Sequence, residues 1–499
     1  MTADPRAARL SVDLALVALK RGDLADAAEN LSAALKSDPR NPDAYYHLAH
    51  IYSLAGDDKT AAGIFRLAIE AAPEDFLNAR TFVRLQGRGF DARTTRNYFD
   101  ALADTTPFIR SYLQPSSWLG SCGGDLTAAQ EHAIAERLDQ RWTDWTEGRI
   151  PIPAEAEAFA ANALPTGAAW PRTLLFMPDH VASNPAFIAS TFTSHPKASL
   201  RTIGIPSEFH AGDDLCFNAA HPDSLHAGRK PKSAALADFD AHITRFRPEV
   251  IVMDGLFLPT ETTIGVDDLH RLKARHGFKL INLITDAYPP LPNYAAHWAP
   301  VTDLTVTFTG DDDDSYRSAV AAGATFAAPC QALAASLISE TPEPHKTVDL
   351  LYAGSRTRNR DFWCAHAATA GIDMTVVIGD RRKELAQSEP DFYEMLGRAK
   401  LALSSGFVTP QLDIVVFRPF EAAASGAVTL HNGRALERCF VPYVHYLPFD
   451  NVHELVALTR FLLADEARRQ RIREAARQFR HDHYRDELFW RAIFGRLKT

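Results

Sequence analysis

Cysteine is scarce in this chain of 499 residues, which holds five thiols at Cys122, Cys216, Cys330, Cys364 and Cys439. Their number is odd, they lie far apart, and no C-x-x-C pair occurs. This excludes a disulfide framework and a zinc knuckle, and fits a reducing compartment. Cys364 and Cys439 read as small buried hydrophobes rather than nucleophiles. The sequence also lacks any apolar run near the ~20 residues of a membrane span. Its start, MTADPRAARL, has no basic stretch leading into an apolar core, so no signal peptide is expected. The expectation is a soluble, cytoplasmic chain without a transmembrane segment. Positive charge is not in excess either. The formal net charge of -9 argues against nucleic acid as a main partner, and leaves room for a local basic pocket.

What is present is ordinary for a globular protein, with 46% hydrophobic and 23% charged residues. The length suggests about three domains at ~150 residues each, and each could bury its own core.

Residues 8–74 are self-similar at a shift of 34 positions, which pairs Gly22 with Gly56, Ala27 with Ala61 and Leu31 with Phe65. The same shift pairs Ala34 with Ala68 and Pro39 with Pro73. Glycine suits the turn between two helices, alanine their close crossing, and proline the end of the second helix. The pattern resembles the tetratricopeptide repeat, a helix-turn-helix unit. Two copies are fewer than a solenoid core normally needs, so a degenerate flanking helix is expected over 77–103. The repeats carry no chemistry. They offer either a protein-binding groove or a helical cap packed on the rest of the chain.

The spacing predicts a helix over 127–147, after the loop Gly120-Ser121-Cys122-Gly123-Gly124. Residues 81–170 are read as a helical linker. From residue 172, short apolar runs alternate with helical stretches. Strands are expected at 173–177, 249–253, 279–285, 304–308, 349–353, 374–378, 400–403 and 427–430. Such runs between helices imply parallel sheets covered on both faces. The alternation is long enough for two doubly wound domains, with a break near Thr341-Pro342-Glu343-Pro344. The expected organisation is repeats in 1–80, linker in 81–170, a first doubly wound domain in 171–340 and a second in 341–499 with C-terminal helices. Ligands of tandem domains of this kind bind in a cleft at the carboxyl ends of the strands.

The second domain opens with a strand, the turn Gly354-Ser355, a basic loop with Arg356, Arg358 and Arg360, and a helix over 361–370. Glycine admits close approach to the backbone, and a helix N-terminus with arginines suits phosphate. A solvated basic loop is the plainer alternative.

Further on, Asp413 is followed by Arg418-Pro419-Phe420-Glu421, the small residues Ala422 to Ser425, Gly426, a short strand and His431-Asn432-Gly433. This stretch resembles the nucleotide-sugar site of GT-B glycosyltransferases, with the R-x-F-E…G pattern of their CgeB-like branch. The resemblance implies two tandem Rossmann-like doubly wound domains preceded by an α-helical tetratricopeptide domain. It implies a nucleotide-sugar as substrate, with no cofactor and no metal. It assigns Glu421 to the ribose hydroxyls and Asp413 to the donor sugar, with Arg418 and Gly426 in the same motif. The Ser404-Ser405-Gly406-Phe407 turn would border the sugar. The stretch 464–482 and the tail 484–496 resemble the family's C-terminal helices, the tail crossing back to the first domain. A vicinal diol offers two hydroxyls to one carboxylate, as in dinucleotide folds.

On the acceptor side, Asp179 and His180 follow the first strand, where a general base could deprotonate a hydroxyl. A polar loop is an equal alternative. Asp254-Gly255 and Asp286-Ala287-Tyr288 end later strands and are candidates of the same kind. The run Asp311 to Asp314 reads as a solvated turn rather than a metal motif. The favoured function is transfer of a sugar to a protein hydroxyl, as in flagellin-type O-glycosylation, with the acceptor docked by the repeats. The alternatives are a polysaccharide or lipid-linked glycan transferase that recruits partner proteins, and a non-catalytic scaffold. Retention or inversion at the anomeric carbon stays open.

Overall fold

A computed structural model describes residues 4–20, 23–54, 57–71, 107–161, 163–165, 167–177, 198–202, 232–255, 264–284, 294–308, 325–328, 338, 341–354, 358–378, 389–409 and 412–497. Helices α1 (Pro5–Lys20), α2 (Leu24–Ser37), α3 (Pro42–Leu54) and α4 (Asp58–Ala71) come first. Then follow α5 (Pro107–Leu113), α6 (Ala128–Thr146) and α7 (Ala154–Ala161). The first strand series runs β1 (Thr173–Met177), β2 (Ala198–Thr202), α8 (Lys232–Phe246), β3 (Val250–Asp254), α9 (Val266–His276), β4 (Lys279–Ile284), α10 (Tyr294–Trp298), β5 (Leu304–Thr307) and β6 (Thr325–Ala327). The second runs β7 (Val348–Gly354), α11 (Arg358–Thr369), β8 (Met374–Ile378), α12 (Glu389–Arg398), β9 (Ala399–Ser405), β10 (Phe407–Thr409), β11 (Leu412–Asp413), α13 (Arg418–Ser425), β12 (Val428–Asn432) and β13 (Leu447–Pro448). It closes with α14 (Val452–Ala464), α15 (Glu466–Tyr484) and α16 (Asp486–Arg496).

Two compact units result. One gathers residues 1–135, 348–381 and 449–464, the other 136–347, 382–448 and 465–499.

In the first unit, the repeat register is built into the caps. Asp23 Oδ1 accepts from the N–H of Asp26 and Asp57 Oδ1 from that of Thr60, each at 3.0 Å. These two N-caps stand one repeat apart, and each satisfies a donor that the helix start leaves orphaned. Ala27, Leu31, Ala34, Ala61 and Ala68 are fully buried, as the repeat reading expects. Gly22, Gly56, Pro73 and the helix expected over 77–103 lie outside the described residues. Helix α5 docks on the later elements of the same unit. Tyr112 packs its ring on Phe362 and Trp363 of α11, and Trp363 meets Phe449 edge-on.

In the second unit, β2-β1-β3-β4-β5-β6 make one sheet, and every pairing in it is parallel. Its central strands alternate between two apolar layers. Ile251, Met253, Leu280 and Ile284 face one, with Trp298. Val250, Val252, Ile281, Leu283 and Val306 face the other. The expected C-terminal crossing is present in this second layer, which also contains Phe489, Trp490 and Phe494 of α16. Phe489 stacks on Phe308 just beyond β5, and Arg496 lies over the ring of Phe326 in β6. β9, β12 and β13 are joined by parallel pairing, with Ser404 beside His431 and Ser405 beside Asn432. β7 and β8, in the first unit, also pair in parallel.

All eight expected strands form, within a residue or two at their ends. The chain adds β2, β6, β10, β11 and β13, which the apolar runs did not indicate. β2 (ASLRT) is a polar edge strand, and the others have two or three residues each. Of the cysteines, Cys122, Cys364 and Cys439 are buried and none is in a disulfide among the described residues. Among the described residues, no helix is long and apolar enough to cross a membrane.

Candidate functional site

Local sequence dictates the short helix α13. Pro419 is preset for a first turn, the alanines favour helix, and Gly426 closes it in the left-handed region at φ 76°, donating its N–H to Ala422 O. Every residue from Pro419 to Ser425 is buried. Small side chains let this helix lie flat in the core. One carboxylate is buried with them: Glu421, 5% exposed. A buried carboxylate needs partners, and it has two. Tyr393 of α12 donates its hydroxyl to Oε1 at 2.9 Å, and Arg418 places Nη1 at 2.5 Å from Oε2. Arg418 is held in turn over the face of Phe392, 4.4 Å from the ring centre. Helix α12 thus serves both oxygens of Glu421, one directly and one through Arg418.

Asp413 occupies a different setting. Its Oδ2 accepts from the backbone N–H groups of Arg434 and Ala435, the latter at 2.8 Å. It therefore caps the turn that follows β12. Two glycines make room for it. A methyl group at Gly406 or at Gly433 would overlap Asp413 Oδ1, and Gly433 also adopts φ 127°. Oδ1 is buried without a hydrogen-bond partner among the described residues. Burial raises the Asp413 pKa above the ordinary carboxylate range, against the opposing pull of the two N–H groups. The Ser404–Phe407 turn lies beside it. Gly406 donates to Asn432 O at 2.8 Å and accepts from Ile414 N at 3.0 Å. Ser404 Oγ is buried with no partner among the described residues.

Asp413, Arg418, Glu421 and Gly426 thus belong to one unit, where Arg418 and Glu421 touch. Gly354 lies in the other unit, at the end of β7 with φ 148°. Arg360 stands in the first turn of α11. Ser355, Arg356, Asp179, His180, the 286–288 triplet and the Asp311–Asp314 run lie outside the described residues, as do the side chains of Arg358 and Asp254. Gly255 donates its N–H to Leu283 O at 3.1 Å. Among the described residues, no cluster of three or more His, Cys, Asp or Glu could hold a metal ion.

Two residues escaped the sequence reading. Tyr393 stands 28 positions before Glu421 and belongs to no spaced motif, although an aromatic pair on the helix preceding β9 was visible. Asn282, fully buried in β4, has neither amide atom hydrogen-bonded among the described residues. A methyl at Gly255 would overlap its amide, so the glycine in Asp254-Gly255 makes space for Asn282.

Residues 355–488 match the family described as glycosyl transferase-like, and residues 12–76 match the tetratricopeptide repeat. A search of curated proteins finds no match. Among solved structures, a mutant O-GlcNAc transferase from Thermobaculum terrenum is similar at a TM-score of 0.34 and 12% identity, covering 100% of this chain and 98% of its own. Anabaena HepE in complex with UDP-glucose is similar at 0.42 and 10% identity, covering 64% of this chain and 98% of its own. Sucrose-phosphate synthase from Thermosynechococcus elongatus is similar at 0.38 and 10% identity, covering 65% of this chain and 97% of its own. At these scores the likeness is remote and carries no residue roles to this chain.

Proposed function

We propose that this chain, a tetratricopeptide-repeat protein with a glycosyl transferase-like domain, moves a sugar from a nucleotide-sugar to a hydroxyl of a protein docked by the repeats. The reading is of a metal-independent, cofactor-free, cytoplasmic enzyme, with flagellin-type O-glycosylation as the kind of reaction meant. In the step, the acceptor oxygen attacks the anomeric carbon, the bond from that carbon to the phosphate oxygen breaks, and the nucleotide leaves with the electron pair. The hydroxyl proton goes to a base, for which Asp179 and His180 are the candidates.

The observation that carries the reading is the buried Glu421 carboxylate within the family-matched segment, held by Tyr393 and Arg418. A carboxylate fixed in this way accepts two hydrogen bonds from the ribose diol of a donor. Gly354 with Ser355, and Arg356 with Arg360, are assigned to the donor phosphates. Asp413 is assigned to the region of the donor sugar through the turn that it caps. The tetratricopeptide match over residues 12–76, a type of repeat that suggests protein interaction, supports a protein acceptor.

The test is intact-mass analysis of proteins incubated with the chain and a panel of UDP-, GDP- and CMP-sugars. One protein should gain the mass of one sugar. Deleting residues 1–80 should abolish that gain while slow donor hydrolysis persists. Protein labelling that survives the deletion overturns the docking role of the repeats, and labelling of only a glycan or lipid overturns the protein acceptor.

A further inference from the structure

Both oxygens of Glu421 are already engaged, and the manner of engagement bears on donor choice. A carboxylate has about four lone-pair sites. Tyr393 uses one on Oε1, and Arg418 faces Oε2 as an ion-pair partner. At least one site on each oxygen is left, enough for the two hydroxyls of a vicinal diol. A glutamate side chain turns about three bonds, and ordering it costs on the order of 1–2 kcal/mol. The Tyr393 hydroxyl removes that freedom before a ligand arrives. Tyr393 is itself 2% exposed, and it is braced edge-on by Phe392, which is fully buried and bears Arg418 on its ring face.

We propose that Tyr393 is a positioning residue that sets the plane of the Glu421 carboxylate, and that it thereby makes the site selective for nucleotides with an intact 2′,3′-diol. The proposal rests on the assignment of Glu421 to the donor ribose. Tyr393 does not touch the ligand. Its hydroxyl acts through Glu421, so its loss weakens only the contacts that the diol makes.

The test uses the full chain and calorimetric titration with UDP, GDP, ADP and CDP and their 2′,3′-dideoxy counterparts. The wild type should bind the ribose form of its preferred nucleotide about tenfold or more tightly than the dideoxy form. Tyr393→Phe keeps the ring and should shrink that ratio to about threefold or less, with dideoxy affinity unchanged within about twofold. An equal loss for both forms would mean that the hydroxyl only supports packing. An unchanged ratio would mean that Glu421 is placed without it. Either result overturns the proposal. The underlying assignment fails separately, if the wild type makes no distinction between the forms, binds none of the nucleotides, or keeps its ratio in Glu421→Gln.

Discussion

Trp118 donates its indole N–H to Glu454 Oε1 at 2.9 Å, tying a loop of the linker to a helix 336 positions away in the chain. Ser116 Oγ donates to the same oxygen at 2.7 Å, and Asp450 N donates to Oε2 at 2.8 Å. The neighbouring His453 ring lies within hydrogen-bond distance of Cys122 and of Leu113 O. Residues 113–122 are therefore a fitted part of their unit rather than a free tether.

This sets a first expectation. Glu454→Ala removes the carboxylate that accepts from three donors, one of them the buried Ser116 hydroxyl, and a hydrogen bond to a charged group is worth about 1.5–3 kcal/mol. A loss of about 3 kcal/mol or more in urea unfolding is expected. Glu454→Gln keeps an acceptor for Ser116 and Trp118 and should lose about half as much. Equal stability of all three proteins would contradict the account.

Glu343 gives a second. It sits in the Pro-rich link before β7 and is buried with Arg469 and Arg473, at 2.5 and 3.2 Å. Removing one member of a buried ion group costs about 3–5 kcal/mol, whereas replacing the whole group with apolar residues can be neutral. Glu343→Leu should lower the midpoint of thermal unfolding strongly. Adding Arg469→Met and Arg473→Met should recover most of the loss. Failure of the triple variant to recover would show that the charges serve more than mutual neutralisation.

Acid sensitivity follows from His445. Burial, chiefly, and the nearby His483 push its pKa down to about 3. The ring stacks on Phe479 and meets Trp145 edge-on, while Nδ1 accepts from Val441 N. The unfolded chain takes up the proton near 6.5, so the neutral folded ring favours folding fully above that pH. Stability should fall as pH drops from about 6.5 towards 3, by up to about 1.4 kcal/mol per unit. His445→Gln should flatten this slope in denaturant titrations at pH 4–7. An unchanged slope would assign it to other groups.

Asp413 acts in the opposite sense. Its folded pKa is raised, so the folded state binds the proton more readily than the unfolded chain. Stability from this group is present below the unfolded carboxylate pKa and is lost as pH rises through the elevated folded value. Asp413→Asn keeps an acceptor for Arg434 N and Ala435 N and should remove that loss, stabilising the protein at neutral pH relative to acid. Greater stability of the wild type at pH 7 would contradict this.

How much of this was legible in the sequence depends on the distance over which each feature acts. The central strands were readable because burial on both faces demands unbroken apolar runs, as in VIVM of β3. β2 was not, because an edge strand tolerates Ser199 and Arg201. The repeats were readable because each copy must solve the same packing problem, down to the caps at Asp23 and Asp57. Glu421 stood out because its helix compresses proline, small residues and glycine into one short stretch. Its supports did not. Tyr393 reaches it from another helix, and no local rule links the two. The same holds for Trp118 and Glu454. Asp413 was found by its spacing, while the fit of Gly406 and Gly433 around it emerges only when three loops meet.

The central claim is that Glu421 holds the donor nucleotide. Calorimetric titration of the wild type and Glu421→Ala with a nucleoside diphosphate tests it most directly. The account expects binding by the wild type and a loss of about 100-fold or more in the variant, two charge-assisted hydrogen bonds being removed. Equal affinity of the two proteins would contradict it.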